Sequence, residues 1–511
     1  MRVTNSMINH NSMSNMNANK VLVNELNNQM TSQKKISRPS EDPVVAIRAL
    51  RLRGNLNELN QYYEKNIPDA ESWMEVTEGA LNSMKSILST IRTQCVNATT
   101  GTMNQEDRQA ILKNLQSLRK QVYAEGNADY AGRTVFTGYK TNTALTFSTD
   151  ELNTKYQVTE PLSYEDIEEN SYYSYSVVVP GDRTQVLPGV DLNAMPKESV
   201  HKRIRLSYEN MEAVQADDLK YKNAAGALVP LSGYSYTDST GATQQPQITT
   251  NLSYADWKKG GYQVADNQVI VLKETGEVIL GKNVASQISS NKMELSVDYT
   301  KQGFSEGELR PEHYFDCKNI TDPNNTISYT KENQELEYTV SFNQTLIVNT
   351  QASDVFDTSI GRDVDELTNS VENSIAAHKK VDSIKAMMKE SQYSDPAAQE
   401  ALSQWLKAAE KEVSYADDNM EKVYSQGITA FDGYLKKVTL ANTDLGSRGD
   451  RLKLTKNRMS NQQATFEELK SKNEDKELSD IIIEYTSAHT AYQASMQASA
   501  KANSQTLLSY L

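Results

Sequence analysis

Residues 70–98 read AESWMEVTEGALNSMKSILSTIRTQCVNA. Within them Ala70, Met74, Thr77, Leu81, Met84, Leu88, Ile91, Cys95 and Ala98 recur in alternating steps of four and three. Steps that average 3.5 residues hold one apolar seam against a partner helix over many turns. Just upstream, Val45, Ala49, Leu52, Leu56, Leu59, Tyr63 and Ile67 keep the same alternation except at the last step. Asp42 followed by Pro43 supplies an N-cap and a first-turn proline for this stripe. Downstream, Thr100-Gly101 suits a turn. Asn104, with Glu106 and Asp107 after it, opens a third helix carrying Ile111, Leu115, Leu118 and Val122.

The C-terminal flank reads the same way. Leu367, Val371, Ile375, His378 and Val381 share a helical face, and Val438, Leu445, Leu452, Met459 and Phe466 recur every seven residues. No glycine or proline follows Gly449. The polar stretch Ser471 to Lys476 is expected to interrupt the helix, with Ser471 and Glu474 at capping-box spacing. The extremities bury less. Met16, Val23, Leu26 and Met30 form a thin stripe amid Asn, Ser and Gln. The last segment places Leu478, Ile481, Ile482, Tyr485, Tyr492, Met496, Tyr510 and Leu511 among Ala and Ser. A lone helix with so little to bury is marginal in water. Both extremities are therefore expected to order on assembly, whereas the inner stripes satisfy one another.

Composition shifts between the flanks. Residues 151–350 hold 11 of the 22 glycines, 8 of the 12 prolines and 15 of the 27 tyrosines. Glycine and proline punctuate turns, and tyrosine favours strands. Strand-like runs lie at Tyr172 to Val179, Arg203 to Tyr208, Val269 to Leu272, Val278 to Leu280, Met293 to Tyr299 and Glu337 to Val348. The third and fourth, joined through Glu274-Thr275-Gly276-Glu277, read as a hairpin. The predicted fold class is α+β: a long antiparallel helical bundle or coiled coil from the two flanks, with a β-rich insertion in the middle.

The net charge is −14, and residues 151–350 carry 28 acidic against 17 basic side chains. No basic patch points to nucleic acid, and no apolar run approaches a membrane span. The first twenty residues lack the apolar core of a cleaved signal peptide. Cys95 sits on the apolar stripe as a small hydrophobe, and with Cys317 makes no disulfide framework.

Several segments together resemble the flagellin superfamily. They are Met1 to Met7, Met30 to Pro43 with its Pro39-Ser40-Glu41-Asp42-Pro43 turn, Gly132 to Thr141, Ala441 to Leu452, and Leu507 to Leu511. Within that superfamily the turn is similar to that of hook-associated proteins of the hook–filament junction; flagellins usually carry an alanine-rich sequence there. Gln33 stands where relatives often have glycine before the paired basic residues. Glutamine does not supply a glycine-only geometry cheaply, so a different local turn is expected.

The resemblance implies three layers. Residues 1–40 with 471–511 form an inner-tube assembly domain, 41–145 with 360–470 a flagellin-like helical domain, and 146–359 an outer insertion of one or two subdomains. Gly132, Phe136, Gly138 and Tyr139 mark the passage from helices to insertion. The implied partners are a ring of identical copies in the flagellar axis, the first hook-associated protein on the hook side, flagellin on the filament side, and an export chaperone. Export runs through the flagellar type III apparatus without a cleaved signal peptide, to the hook–filament junction.

Catalytic chemistry is thin. His10, His201, His313, His378 and His489 are scattered. His313 and Cys317 are four apart in a proline-containing stretch read as loop, a poor metal site. Asp363, Asp365 and Glu366 suit a helix start and its dipole, and Asp417-Asp418 a solvated helix face. No phosphate loop or nucleophile elbow occurs. No enzyme, cofactor or metal is expected. The rival readings are a flagellin filament subunit, and an axial protein displaying an enzymatic or ligand-binding insertion at 146–350.

Overall fold

The computed structural model describes residues 5–99, 104–173, 177–190, 197–237 and 241–504. It has the α+β class: helical flanks around a β-rich middle. The chain divides into two compact units, one of residues 1–71, 337–346 and 448–511, the other of 72–336 and 347–447.

The first unit is mostly helix. The N-terminal helix Asn5–Ser32 packs antiparallel on the C-terminal helix Leu478–Ser504. Helix Pro43–Asn60 passes directly into a π-helical stretch, Gln61–Asn66, and then into helix Ile67–Thr99. Pro68 lacks an N–H and cannot close an ordinary turn behind it. One wider turn just before the proline absorbs the misfit. The apolar stripe breaks step at 63 to 67, where this extra residue enters. A hairpin of strands Glu337–Ser341 and Gln344–Ile347 clasps the π stretch. Asn66 Nδ2 donates to the Thr339 carbonyl at 2.8 Å, the Tyr338 hydroxyl donates to Asp69, and the Phe342 and Tyr62 rings meet edge to face at 5.4 Å. Glu337 to Val348 is thus two strands turned at Asn343 (φ +54°), not one.

The break near the C-terminus lies later than expected. Helix Pro396–Glu474 runs through Ser471, and only 475–477 interrupt it. Ser471 is an interior helical residue that donates to Asp475, so no capping box forms with Glu474.

The second unit joins helices to two sheets. All positions from Met74 to Ala98 on the opening stripe are buried, Leu81, Met84, Leu88, Ile91 and Cys95 completely. Thr77, the polar member, returns its hydroxyl to the Trp73 carbonyl at 2.8 Å. Asn104 caps helix Gln105–Val122 in a capping box with Asp107. One sheet centres on the long antiparallel pair Glu151–Ser163 and Glu294–Phe304. The other orders Gln247–Thr249, Gln268–Leu272, Glu277–Leu280, Glu198–Arg205 and Glu168–Tyr173. Val269 and Val271 with Val278 and Leu280 join Val158, Val297 and Tyr299 in one core shared by both sheets. Ile270, Leu272 and Ile279, one residue out of phase, face a second cluster under Trp257 and Tyr262. The period of two divides each strand between two apolar layers.

Two predicted strands shift. Only Arg203 to Arg205 of the run Arg203 to Tyr208 lie in a strand, which starts earlier, at Glu198. Of the run Tyr172 to Val179, Tyr172 and Tyr173 lie in strand Glu168–Tyr173, 174–176 lie outside the described residues, and Val177 joins Val186, Val381, Ile384 and Leu402 over a helical hairpin.

Candidate assembly site

The site is built where the N-terminal helix and the long helix Pro396–Glu474 stop, just before the C-terminal helix starts. Gln33 ends the first helix with φ +55°, the left-handed conformation that usually takes glycine. The expected departure is therefore absent: glutamine adopts the geometry at a cost of about 1–2 kcal/mol. Its neighbours show what holds it. Lys34 and Asp475 form an antiparallel bridge, the Lys35 amide donates to the Glu474 carbonyl at 2.8 Å, and the Lys476 amide donates to the Gln33 carbonyl at 3.0 Å. Gln29 Nε2 donates to the Lys35 carbonyl at 2.8 Å. Two broken helices are thus laced backbone to backbone, so each orphaned terminus satisfies the other.

Charge fastens the same point. Glu474, 4% exposed, accepts both Arg53 Nε at 2.7 Å and Nη2 at 2.6 Å. That bidentate hydrogen bond holds its carboxyl below the usual carboxylate range. Asp475 is lowered by its hydrogen bond from Lys34. Asn473 Nδ2 reaches the Val45 carbonyl at 3.1 Å. The turn from Pro39 to Pro43 sits beside this lacing. Asp42 Oδ1 accepts the Val44 amide at 2.9 Å and the Val45 amide at 3.1 Å, with Pro43 in the first turn. Glu41 closes the turn by accepting the Ser37 amide at 2.6 Å. Ser40 is exposed. Pro39, Ile36, Ala49 and Leu50 line a shallow cavity of about 170 Å³ there.

The terminal stripes fall on two faces. Leu26 and Ile481 are buried, and Met16, Val23, Met30, Tyr485 and Tyr492 half-buried, on the side where the two helices meet. Leu478, Ile482 and Met496 are exposed. Tyr510 and Leu511 lie outside the described residues. Met7, Ile8, Met13, Val21, Leu22 and Ile483, which periodicity did not single out, are exposed as well. A signal existed. Val21-Leu22-Val23 and Ile481-Ile482-Ile483 are runs of three apolar residues, and at about 100° per residue one seam cannot take all three.

The passage motif is a hairpin, Asp129–Tyr130 against Arg133–Thr134, turned through Ala131 (φ +53°) and Gly132 (φ +77°). Arg133 lies 5.1 Å over the buried Trp73 ring. Phe136 is buried edge to face on Phe356 at 5.0 Å. Gly138 has φ +62°, and a Cβ there would meet the Gln334 side chain at 2.4 Å. The Tyr139 amide donates to Gln334 Oε1 at 2.8 Å, and its exposed ring ends on the Glu335 carbonyl.

The remaining candidates have structural partners. Asp363, Asp365 and Glu366 are not in the first turn of helix Ser359–Met387, so the dipole reading fails. They pair with arginines instead: Asp365 with Arg119 at 2.7 Å, Glu366 with Arg203 at 2.7 Å, and Asp363 with Arg205 and the Tyr434 hydroxyl. Burial pushes Asp363 up. Burial also pushes on Glu366, but Arg203 and Arg205 hold it below its ordinary value. Asp417 is no solvated face either; it accepts Ser374 Oγ at 2.5 Å, His378 Nε2 at 2.9 Å and Arg108 Nη2 at 3.3 Å. His313 lies in a single buried turn, Pro311–His313, with Nε2 3.3 Å from the Ala144 carbonyl, and Cys317 in strand Asp316–Asn319. Burial and the nearby Lys140 charge depress His313 to about 3. Burial raises the Cys95 and Cys317 thiols to about 12, so neither offers a thiolate.

Both ends of the chain match known sequences. The bacterial flagellin N-terminal helical region matches residues 3–141, and the bacterial flagellin C-terminal helical region matches 428–511. Flagellar hook-associated protein 3 of Salmonella typhimurium is 29% identical over 145 residues, which is 28% of this chain and 45% of that protein. A flagellin of Clostridium tyrobutyricum is 30% identical over 122 residues, 24% of this chain and 32% of that protein. The chain thus spans less than half the length of these relatives. The solved structure of flagellar hook-associated protein 3 from Legionella pneumophila aligns over 82% of this chain and 97% of its own, with 10% identity and a TM-score of 0.29. The two ends of this chain are therefore similar to the two helical regions of bacterial flagellin, the N-terminal one at 3–141 and the C-terminal one at 428–511.

Proposed function

We propose that this chain is a structural subunit of the flagellar axis, a hook-associated protein that joins the hook side to the flagellin filament. One observation carries the reading. The two flagellin-like ends are laced into an antiparallel helix pair whose outer face exposes Val21, Leu22, Ile482 and Ile483. Exposed apolar rows of this kind mark association surfaces. Copies of the chain meet through that face in a ring, with the first hook-associated protein on one side and flagellin on the other. An export chaperone covers the C-terminal helix before passage through the flagellar export apparatus. Residues 1–40 with 471–511 are the assembly layer, 41–145 with 360–470 the surrounding helical layer, and 146–359 the outer part. The side chains charged with assembly are those of the outer face, supported by the seam residues beneath.

The likeness to a flagellin keeps a second reading in play, a filament subunit. The Pro39 to Pro43 turn favours the junction reading. Purified protein separates the two: short rings or no polymer are expected, and long filaments from this chain alone would overturn the junction role. Deleting 478–511 is expected to leave a folded core and abolish incorporation into flagella. Normal motility of that truncation would overturn any axial role.

A further inference from the structure

The second unit carries a cleft to which no residue of the terminal helices contributes. It lies between the five-stranded sheet and helices Ser359–Met387 and Pro396–Glu474, and encloses about 420 Å³. That is the size of pockets that take small ligands. Its floor is charged but saturated. Arg203 is held by Glu168, Glu277 and Glu366, and Arg205 by Asp363, Glu366 and Glu168. Arg362 on its wall donates to Glu209 at 3.0 Å and to the Thr275 carbonyl. No guanidinium there is left for an anion, and each carboxylate of this floor already has its cation.

Beside the charged Lys258 and Glu372, the cleft is lined by neutral amides with spare hydrogen-bonding capacity. The side-chain amides of Asn369, Asn373 and Asn419 line the cleft and make no hydrogen bond among the described residues. Asn369 and Asn373 are one helical turn apart, about 5–6 Å between Cβ atoms. Each amide offers two donors and an acceptor side by side. The half-buried Tyr254 adds an aromatic face, packed edge to face on Trp257 at 6.3 Å. Paired neutral donors and acceptors next to an aromatic ring match vicinal hydroxyls and the C–H face of a sugar ring. We propose that this cleft binds a neutral saccharide, with Asn369, Asn373 and Asn419 reading hydroxyl pairs and Tyr254 receiving the ring face.

The test uses the full chain and a panel of neutral mono- to tetrasaccharides, by saturation-transfer NMR and calorimetry. A panel member is expected to bind with a Kd of about 1 mM or tighter, unchanged between low and high salt. The triple variant Asn369→Ala, Asn373→Ala, Asn419→Ala is expected to weaken it at least about tenfold with unchanged melting temperature. Tyr254→Leu is expected to weaken binding while keeping the fold. The same saccharides immobilised on an array distinguish the source: binding in solution and on the array supports a free saccharide, binding on the array alone a surface-displayed glycan. No binding in either format at about 10 mM, or wild-type affinity in the triple variant, would overturn the proposal. So would binding confined to charged polymers and lost in salt.

Discussion

The stripe from Ala70 to Ala98 and the stripes of the terminal helices are written in the same periodicity and end differently. Every position of the first is buried. Of the described residues on the predicted terminal stripes, Leu26 and Ile481 reach that state, whereas Leu478, Ile482 and Met496 stay exposed. A stripe surrounded by other helices becomes core, whereas a two-helix pair buries one narrow seam and leaves its remaining apolar surface facing out. Period therefore identifies a seam; apolar residues in excess of the seam identify an outer face.

The largest expected effect breaks that contrast on the functional side. Val21→Asp with Ile483→Asp is expected to abolish incorporation into flagella, measured by motility and by the protein in sheared filaments, with thermal stability within about 0.5 kcal/mol. A motile double variant would mean the outer face is idle. Next, Leu88→Ala in the fully buried stripe is expected to cost about 3 kcal/mol through lost burial and a cavity. Chemical denaturation measures it, and a cost under about 1 kcal/mol would erase the difference between the two regions.

The lacing sharpens the comparison through pH. Glu474 is held below its ordinary 4.5 by Arg53, so its contribution is present above that value and lost as pH falls through the folded one. Amide exchange at Lys35 and Lys476 is expected to quicken as pH drops below about 4.5 relative to interior amides of helix Ile67–Thr99, after correction for intrinsic rates. Arg53→Ala should produce that faster exchange already at neutral pH. Equal protection in the variant would show that the backbone bridge suffices. The smallest effect is local. Gln33→Gly is expected to stabilise the protein by about 1 kcal/mol by relieving the left-handed backbone, read as a small rise in melting temperature, whereas a loss would mean that the glutamine side chain makes up for its strain.

Much of the fold was legible in the residues because local rules carried it. Asp42-Pro43 and Asn104 mark helix starts by capping chemistry, and the hairpin from Val269 to Leu280 follows from alternation around a turn glycine. The misplacements share a cause. Asp363, Glu366 and Asp417 looked like helix-end or surface charges because their arginine and histidine partners lie far away in sequence. Val177 looked like strand because its partners are in a helical hairpin some 200 residues on.

By itself the sequence determined the helical flanks, the β-rich middle, the buried stripe and the flagellin-like character of both ends. Those follow from spacing and short-range chemistry, which need no knowledge of distant neighbours. Only the tertiary structure decided which terminal side chains form the seam and which face outward. It alone fixed Gln33 in a left-handed turn beside Glu474, and it alone closed a polar cleft over a saturated ion network. Each of these depends on what packs opposite a residue, and a helix presents several faces whose partners no local pattern can name.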